Sequence, residues 1–326
     1  MNQQAVCVLG EGAWGTAIAL LLANNGYTVY IWCHHATVAE EIKTKRTNSR
    51  YLPGIILPES IIPITDFDVV LSHTQWIFQV IPVQHLRSVI ERVKPYCKKE
   101  HIWVVLSKGI EQHTLLFPTQ IIDAVLGYPA KQAVVAGPSF AQDLAHKKVT
   151  AVTLAADDNN LINLLQGMLA NDYFKPYASM DVIGVQCAAA LKNVITLGIG
   201  MLNGAGYADN TKAFFLTRGL HEIALLIEAL GGKQETLYGL SGIGDLVLTA
   251  MSSQSRNLQV GTLLGCGESL DAIIQKTGYT PEGINTVVSV QQLAQTLGCD
   301  LPLCRSIHDV IYNKKPIAHL IDTLMK

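Results

Sequence analysis

Glycines at positions 10, 12 and 15 follow a short apolar run in which Val6, Val8 and Leu9 supply a strand, and residues 13–23 continue apolar as a helix. That spacing suits a pyrophosphate. Gly10 permits the tight turn, Gly12 lets the backbone approach a phosphate, Gly15 lets helix and strand pack closely, and the helix N-terminus offers N–H groups. Gly26 stands where a left-handed C-cap is wanted before a second strand, Thr28–Trp32. A glycine turn in an ordinary α/β protein is the competing reading, which weakens once strand, fingerprint and helix coincide. About 20 residues past such glycines, an NAD-specific site places Asp or Glu. This chain has Cys33, His34 and His35 there. With no carboxylate in that stretch, NADP is expected to be tolerated beside NAD. His34 either stacks on adenine, or donates to a 2′-phosphate, or is with His35 a solvated loop residue.

Two further groups of polar residues sit in unusual surroundings. Residues 182–202 are apolar for nearly the length of a bilayer span, yet Gln186, Lys192 and Asn193 lie at the centre. A lysine and an amide at mid-span are costly in lipid, so the run reads as a buried helix of a soluble domain that aims a few polar groups inward. The stretch GLSGIGDLVLTAMSSQSRNLQVG gathers Asp245, Thr249, Ser255, Arg256 and Asn257. Ser255 suits the N-cap of a helix beginning around Arg256, whose free amides and guanidinium together favour a phosphate monoester, with Asn257 as a neutral donor. An ordinary serine-capped helix with one surface arginine is the alternative.

The elements that must position these groups alternate, strand then helix, up to about residue 176, the pattern of βαβ units and a largely parallel sheet. Strands at 76–80, 102–106 and 133–135 end at Ile81 and Pro82, at Ser107, Lys108 and Gly109, and at Gly137, Pro138 and Ser139. In an open α/β sheet, ligands bind outside the carboxyl ends of the strands, so these endings are expected to share one edge. Lys108 taken alone would read as a solvated turn lysine. Pro138 fits the first position of a helix. After Ser179 only helical periodicity continues, punctuated by glycines into six or seven helices. The expected fold is therefore an α/β Rossmann-type N-terminal domain with a mostly parallel sheet, residues 1–180, followed by an all-α C-terminal domain, residues 181–326.

Composition narrows the partner. A chain of 326 residues holds two cores, and a net charge of −2 without any Lys/Arg run argues against nucleic acid or an anionic membrane, leaving a small molecule. Seven cysteines without a CxxC pair read as thiols of a reducing compartment. The sequence runs from Met1 straight into the first strand with no visible export signal, so a cytoplasmic location is expected. Cys299 and Cys304 carry no zinc signature, and His73, His85 and His221 are scattered, so no metal is expected. The apolar C-terminal helices are compatible with a homodimer.

The segments GEGAWGTAIA, VIPVQHLR, LSKGIE, AGPSFAQDL, IGVQCAAALKNVITLGIGML, NTKAFFLTRG, GLSGIGDLVLT, SSQSRN and PEG occur in one order over essentially the whole chain. In this the sequence resembles the bacterial, soluble, NAD(P)-dependent sn-glycerol-3-phosphate dehydrogenases. The resemblance implies reduction of dihydroxyacetone phosphate to sn-glycerol 3-phosphate with NADH or NADPH, feeding glycerophospholipid synthesis. It places the catalytic lysine on Lys192, as acid in reduction and base in oxidation. Burial and the neighbouring Lys108 would lower the pKa of Lys192, and Asp245, assigned to orient it, would oppose that shift. By the same resemblance Lys108 touches substrate and cofactor, Gly137 and Ser139 line the substrate pocket, and Asn193 and Thr249 hold the triose. Ser255, Arg256 and Asn257 bind its phosphate, with Arg256 also reaching the cofactor. Gly10, Gly12, Ala13, Trp14, Gly15, His34, Ala141 and Glu282 contact the dinucleotide.

The chain departs from the family's usual pattern in places. Glu11 and Ala13 replace small or hydroxylic residues of the fingerprint, Cys33 and His34 stand where arginine is common, and Asp143 stands where glutamate is usual. The first of these removes a side-chain contact to the pyrophosphate and leaves the backbone contacts. Two other functions compete. A different β-hydroxyacid dehydrogenase could share the fold and the buried lysine but would not need the Ser-Arg-Asn cluster. An idle dinucleotide sensor would have no reason to keep a lysine in an apolar helix.

Overall fold

The computed structural model describes residues 4–325. The chain divides into two compact units, Met1–Ser107 with Pro118–Val182, and Lys108–Phe117 with Ile183–Lys326.

The first unit is built on eight strands: β1 Ala5–Leu9, β2 Thr28–Trp32, β3 Ile61–Ile64, β4 Trp76–Gln79, β5 Ile102–Val105, β6 Lys131–Ala136, β7 Thr150–Ala155 and β8 Phe174–Ser179. Their order is β3-β2-β1-β4-β5-β6-β7-β8, and every neighbouring pair is parallel except β6 with β7. Strand order reverses at β1, which pairs Leu9 with Trp32 on one side and with Gln79 on the other. A crevice at such a reversal, outside the carboxyl ends of the strands, is where this architecture binds ligands. The endings of β1, β2, β4, β5 and β6 lie on that edge because these strands run the same way. Helices cover both faces of the sheet, so the inner strands are continuous apolar runs; Val6 to Leu9 and Ile77 to Phe78 are fully buried. Pro63 cannot donate to a ladder and accordingly lies in β3, at the sheet's edge.

One local expectation fails here. The helix after β6 begins at Ala141 rather than at Pro138. The Ser139 hydroxyl instead donates to the Gly137 carbonyl at 2.9 Å, bending the chain ahead of the helix. At Gly137 a Cβ would lie 2.9 Å from Val152 Cα in β7, so this turn needs its glycine for close approach.

The second unit is helical. Among the described residues it holds eight α-helices, Val182–Gly204, Asp209–Ala229, Asp245–Met251, Arg256–Gly265, Leu270–Thr277, Glu282–Leu297, Pro302–Tyr312 and Ala318–Leu324, more than the six or seven expected. The short helices, of seven or eight residues, offer too few turns for periodicity to resolve. The segment Lys108–Phe117 also belongs to this unit, a departure from a single division at residue 180. Its Ile110 and Phe117 are buried in the helical core, and the Ser289 hydroxyl donates to the Ile110 carbonyl at 3.1 Å.

The Val182–Gly204 helix has the length and hydropathy to cross a membrane, but it is the buried core helix of this unit, covered from Gly184 to Leu202. Glycines let a neighbour come against its backbone. A Cβ on Gly200 would sit 2.5 Å from the Leu258 carbonyl oxygen, and one on Gly261 would sit 2.2 Å from that of Leu197. The Arg256–Gly265 helix therefore packs backbone to backbone, which brings its N-terminal Ser-Arg-Asn segment beside Asn193.

Candidate active site

The glycine loop follows β1 directly. Gly10 has φ +122, a conformation rarely open to other residues, and a Cβ on Gly15 would fall 2.0 Å from the Gly10 carbonyl oxygen. The Ala13–Asn24 helix starts with Gly12 as N-cap and, among the described residues, no side chain caps it. A Cβ on Gly12 would meet nothing within 4 Å. Uncapped N–H groups facing open space over a glycine fit a dinucleotide pyrophosphate. Ala13 and Trp14 occupy the first two helical positions, and Trp14 packs its partly buried ring on the core of the first unit.

The end of β2 departs from what its own residues suggest. A carboxylate is present there, supplied by Glu11 from within the fingerprint. Its Oε2 accepts from the His34 backbone N–H at 3.0 Å, and its Oε1 accepts from the His35 backbone N–H at 3.2 Å and from His35 Nδ1 at 2.7 Å. Burial alone would raise the Glu11 pKa, but the bonds from the His35 ring and the two backbone N–H groups outweigh it and hold the pKa below its ordinary value. The Glu11 carbonyl is braced as well, accepting from Thr16 Oγ1 at 3.0 Å and Asn48 Nδ2 at 2.8 Å. His34 is exposed and meets the His35 ring edge-on at 4.9 Å. Gly137 and Ser139 form the bend after β6, and Ala141 opens the short helix that follows.

The helical unit contains a separate charged centre. Lys192, buried on the core helix, donates from Nζ to Asp245 Oδ1 at 2.9 Å, and Lys108 donates to Asp245 Oδ2 at 2.6 Å. One carboxylate thus holds two ammonium groups, one on each oxygen. Burial is the main force on Lys192 and lowers its pKa; Asp245 pulls it back up and Lys108 pushes it down, leaving it at about 8. A lysine so placed can both give and take a proton near neutrality. Asp245 is the first residue of its helix and follows a single turn of π-helix, Leu240–Gly244. The glycines of that turn have a local cause: a Cβ on Gly242 would lie 2.1 Å from the Leu237 carbonyl oxygen. π-turns of this kind recur at functional sites.

Beside the lysines runs an amide chain. Gly283 N–H donates to Asn257 Oδ1 at 3.0 Å, Asn257 Nδ2 donates to Asn193 Oδ1 at 3.0 Å, and Asn193 Nδ2 donates to Glu282 Oε2 at 3.4 Å. Burial raises the Glu282 pKa against the opposing charges of Arg256, Lys108 and Lys192. Ser255 is the N-cap of the Arg256–Gly265 helix and accepts from Leu258 N–H at 3.3 Å, which leaves its O–H as a donor. Arg256 is exposed, its guanidinium 5.4 Å from the centre of the Tyr279 ring. Thr249 is bonded within the helical unit. Its hydroxyl donates to the Asp245 carbonyl at 2.8 Å and meets Thr196 Oγ1 at 3.1 Å, tying the Asp245 helix to the core helix.

Lys108, Lys192, Asn193, Asp245, Ser255, Arg256, Asn257 and Glu282 are therefore parts of the helical unit, whereas Gly10, Gly12, Ala13, Trp14, Gly15, His34, Gly137, Ser139 and Ala141 are parts of the sheet unit. Sequence reasoning missed Thr196 and the reach of Glu11. For Glu11 a signal existed, since an acidic residue inside a glycine fingerprint needs donors, and the loop after β2 is the nearest strand ending.

The model of the NAD-dependent glycerol-3-phosphate dehydrogenase N-terminus matches residues 5–162, and that of the corresponding C-terminus matches residues 181–322. The chain is 40% identical over 325 residues to the Enterococcus faecalis glycerol-3-phosphate dehydrogenase (NAD(P)+), covering 99% of this chain and 96% of that one. It is 39% identical to the Syntrophomonas wolfei protein of the same name, covering 98% and 94%. The crystal structure of glycerol-3-phosphate dehydrogenase from Coxiella burnetii superposes with a TM-score of 0.95 at 32% identity, covering 99% of both chains.

Proposed function

The chain belongs to the NAD-dependent glycerol-3-phosphate dehydrogenase family, as an NAD(P)-dependent oxidoreductase of that kind, and from that premise we propose that Lys192 is its acid/base and that the reaction runs as reduction of dihydroxyacetone phosphate. The observation that carries this reading is the buried lysine held on Asp245 opposite a second lysine, surroundings that bring its pKa down to about 8. When bound, the nicotinamide supplies the hydride to the carbonyl carbon. Lys192 supplies the proton to the oxygen, and in the reverse direction its neutral amine receives the hydroxyl proton. Asp245 aims Lys192 by the bond to Oδ1, and Lys108 keeps the other oxygen occupied so that Asp245 does not itself compete for the substrate proton.

The phosphate falls to Ser255, Arg256 and Asn257 at the start of a ten-residue helix, where amides, a spare hydroxyl and a guanidinium combine. Asn193, fixed by Asn257 and Glu282, presents an amide next to Lys192 to the triose. Gly10, Gly12, Ala13, Trp14 and Gly15 hold the pyrophosphate, and His34 and Ala141 contact the rest of the dinucleotide. Thr249 acts by fixing Asp245. The seven cysteines are all free thiols, which supports a cytoplasmic place for this chemistry and the supply of sn-glycerol 3-phosphate to lipid synthesis.

The test is oxidation of NADH and NADPH with dihydroxyacetone phosphate and, in parallel, with unphosphorylated dihydroxyacetone. Turnover confined to the phosphorylated ketone is the expected result. Equal turnover of both would remove the phosphate site from the reading, and turnover of neither would return the chain to a sugar-acid dehydrogenase or a sensor.

A further inference from the structure

We propose that Glu11 is the residue by which this enzyme discriminates against the 2′-phosphate of NADP, doing from inside the glycine loop what an acidic residue at the end of the second strand does in other dinucleotide folds. The inference rests on the dinucleotide reading of the loop and extends it. An acidic side chain at the end of β2 accepts from the ribose 2′-hydroxyl and repels a phosphate in its place. Here β2 ends in Trp32 and is followed by Cys33, His34 and His35, none of them acidic. The Glu11 carboxylate fills that position, bonded to the N–H groups of His34 and His35, the residues that begin the loop.

Its chemistry suits the role. A carboxylate offers about four lone-pair sites. Oε1 accepts two bonds and Oε2 accepts one, which makes Oε2 the less committed oxygen of a side chain that is only 6% exposed. Burial and the neighbouring Glu11 together push the Cys33 thiol up to about 12, and the hydrogen bonds to Glu11 hold its own pKa below the ordinary value. The basic side chains nearby are otherwise engaged. His35 Nδ1 points at Glu11 Oε1, and the Arg50 guanidinium lies 5.1 Å from the centre of the Tyr51 ring.

The opposing view, that His34 donates to a 2′-phosphate, predicts the opposite sign in experiment. Calorimetric titration of the full chain with NADH and with NADPH, each in the absence of substrate, tests both. Wild type is expected to bind NADPH about tenfold or more weakly than NADH, and Glu11→Gln is expected to bring the two within about threefold, chiefly by tightening NADPH. The loop should survive this change because Thr16 and Asn48 hold the Glu11 backbone carbonyl, and a melting curve checks it. Raising the salt concentration on wild type gives a reading that needs no variant. Repulsion by Glu11 predicts that the NADPH-to-NADH ratio of dissociation constants falls with salt, whereas phosphate capture by His34 predicts that it rises. A ratio unchanged in Glu11→Gln, or one that rises with salt, overturns the proposal. Binding of neither dinucleotide by wild type would refute the dinucleotide site itself, a distinct failure.

Discussion

Replacing Lys108 by methionine isolates the electrostatic control of Lys192. In the wild type Lys192 titrates at about 8, below the ordinary 10.5, with burial as the leading cause and the Lys108 charge as a second lowering influence. At pH 7 about one-tenth of a group with that pKa is neutral, and at pH 9 about nine-tenths. The kcat/KM for oxidation of glycerol 3-phosphate should therefore rise about tenfold from pH 7 to pH 9, while that for reduction falls over the same interval. Lys108→Met removes a like charge and leaves Asp245, which Lys108 had shared, to act on Lys192 alone. Both effects raise the Lys192 pKa. By the size of shift that one close charge produces, about one pH unit, the oxidation limb should move to higher pH and the reduction limb should extend with it. Full pH profiles in both directions, followed by reduced-nicotinamide absorbance, read the displacement separately from any loss of kcat. A profile that stays in place or moves to lower pH would show that Lys192 is not the titrating acid/base.

The remaining predictions concern binding and stability. Arg256→Ala should raise the KM for dihydroxyacetone phosphate about 10- to 100-fold, the worth of a charge-assisted hydrogen bond, and an unchanged KM in steady-state kinetics would dismiss the phosphate clamp. Lys192→Met should lower turnover by about a hundredfold or more without lowering the melting temperature at pH 7. The sign follows from linkage. The folded-state pKa of about 8 lies below the unfolded value, so the fold bears the whole cost of the buried ammonium below pH 8, roughly 3 kcal/mol, and sheds it as pH rises toward 10.5. A melting point several degrees below wild type would contradict this. Gly261→Ala, whose Cβ would lie 2.2 Å from the Leu197 carbonyl, should cost about 1–3 kcal/mol in denaturant unfolding, and a neutral result would mean that the two helices can separate without loss.

What could be read from the sequence is what local rules dictate. Gly10 and Gly15 are demanded by the backbone, one by its φ and the other by contact with the Gly10 carbonyl, so the fingerprint announces its own geometry. The Ser255 cap is equally local, needing only a serine three residues before an N–H that lacks a partner. Lys192 stood out because a charge in an apolar helix must have a reason. Hidden features depend on neighbours distant in the chain. Glu11 meets His34 and His35 only because β1 and β2 are paired, and Lys108 meets Asp245 only because Ile110 and Phe117 carry their segment into the helical core. Pro138 was misplaced for a related reason. The Ser139 hydroxyl and close contact with β7 set the turn, and neither is visible from proline statistics.

The charge count of the helical centre ties these points to function. Asp245 carries one negative charge for two lysines, the buried Lys192 and the partly exposed Lys108, so with both protonated the three groups bear a net positive charge, which Glu282 opposes. Burial is the main cause of the lowered Lys192 pKa, and the like charge of Lys108 adds to it. An anionic substrate supplies the missing charge. With Lys192 as the proposed acid, its arrival would favour the ammonium form, the form that reduction of a ketone consumes, so the same imbalance would select a phosphorylated ligand and load the acid when that ligand is bound. A neutral triose would leave the imbalance in place and meet a poorer acid. On the proposed roles, discrimination by the lysine centre and discrimination by Arg256 act in the same direction through independent groups, and the loss of either alone should leave part of the preference for the phosphorylated substrate.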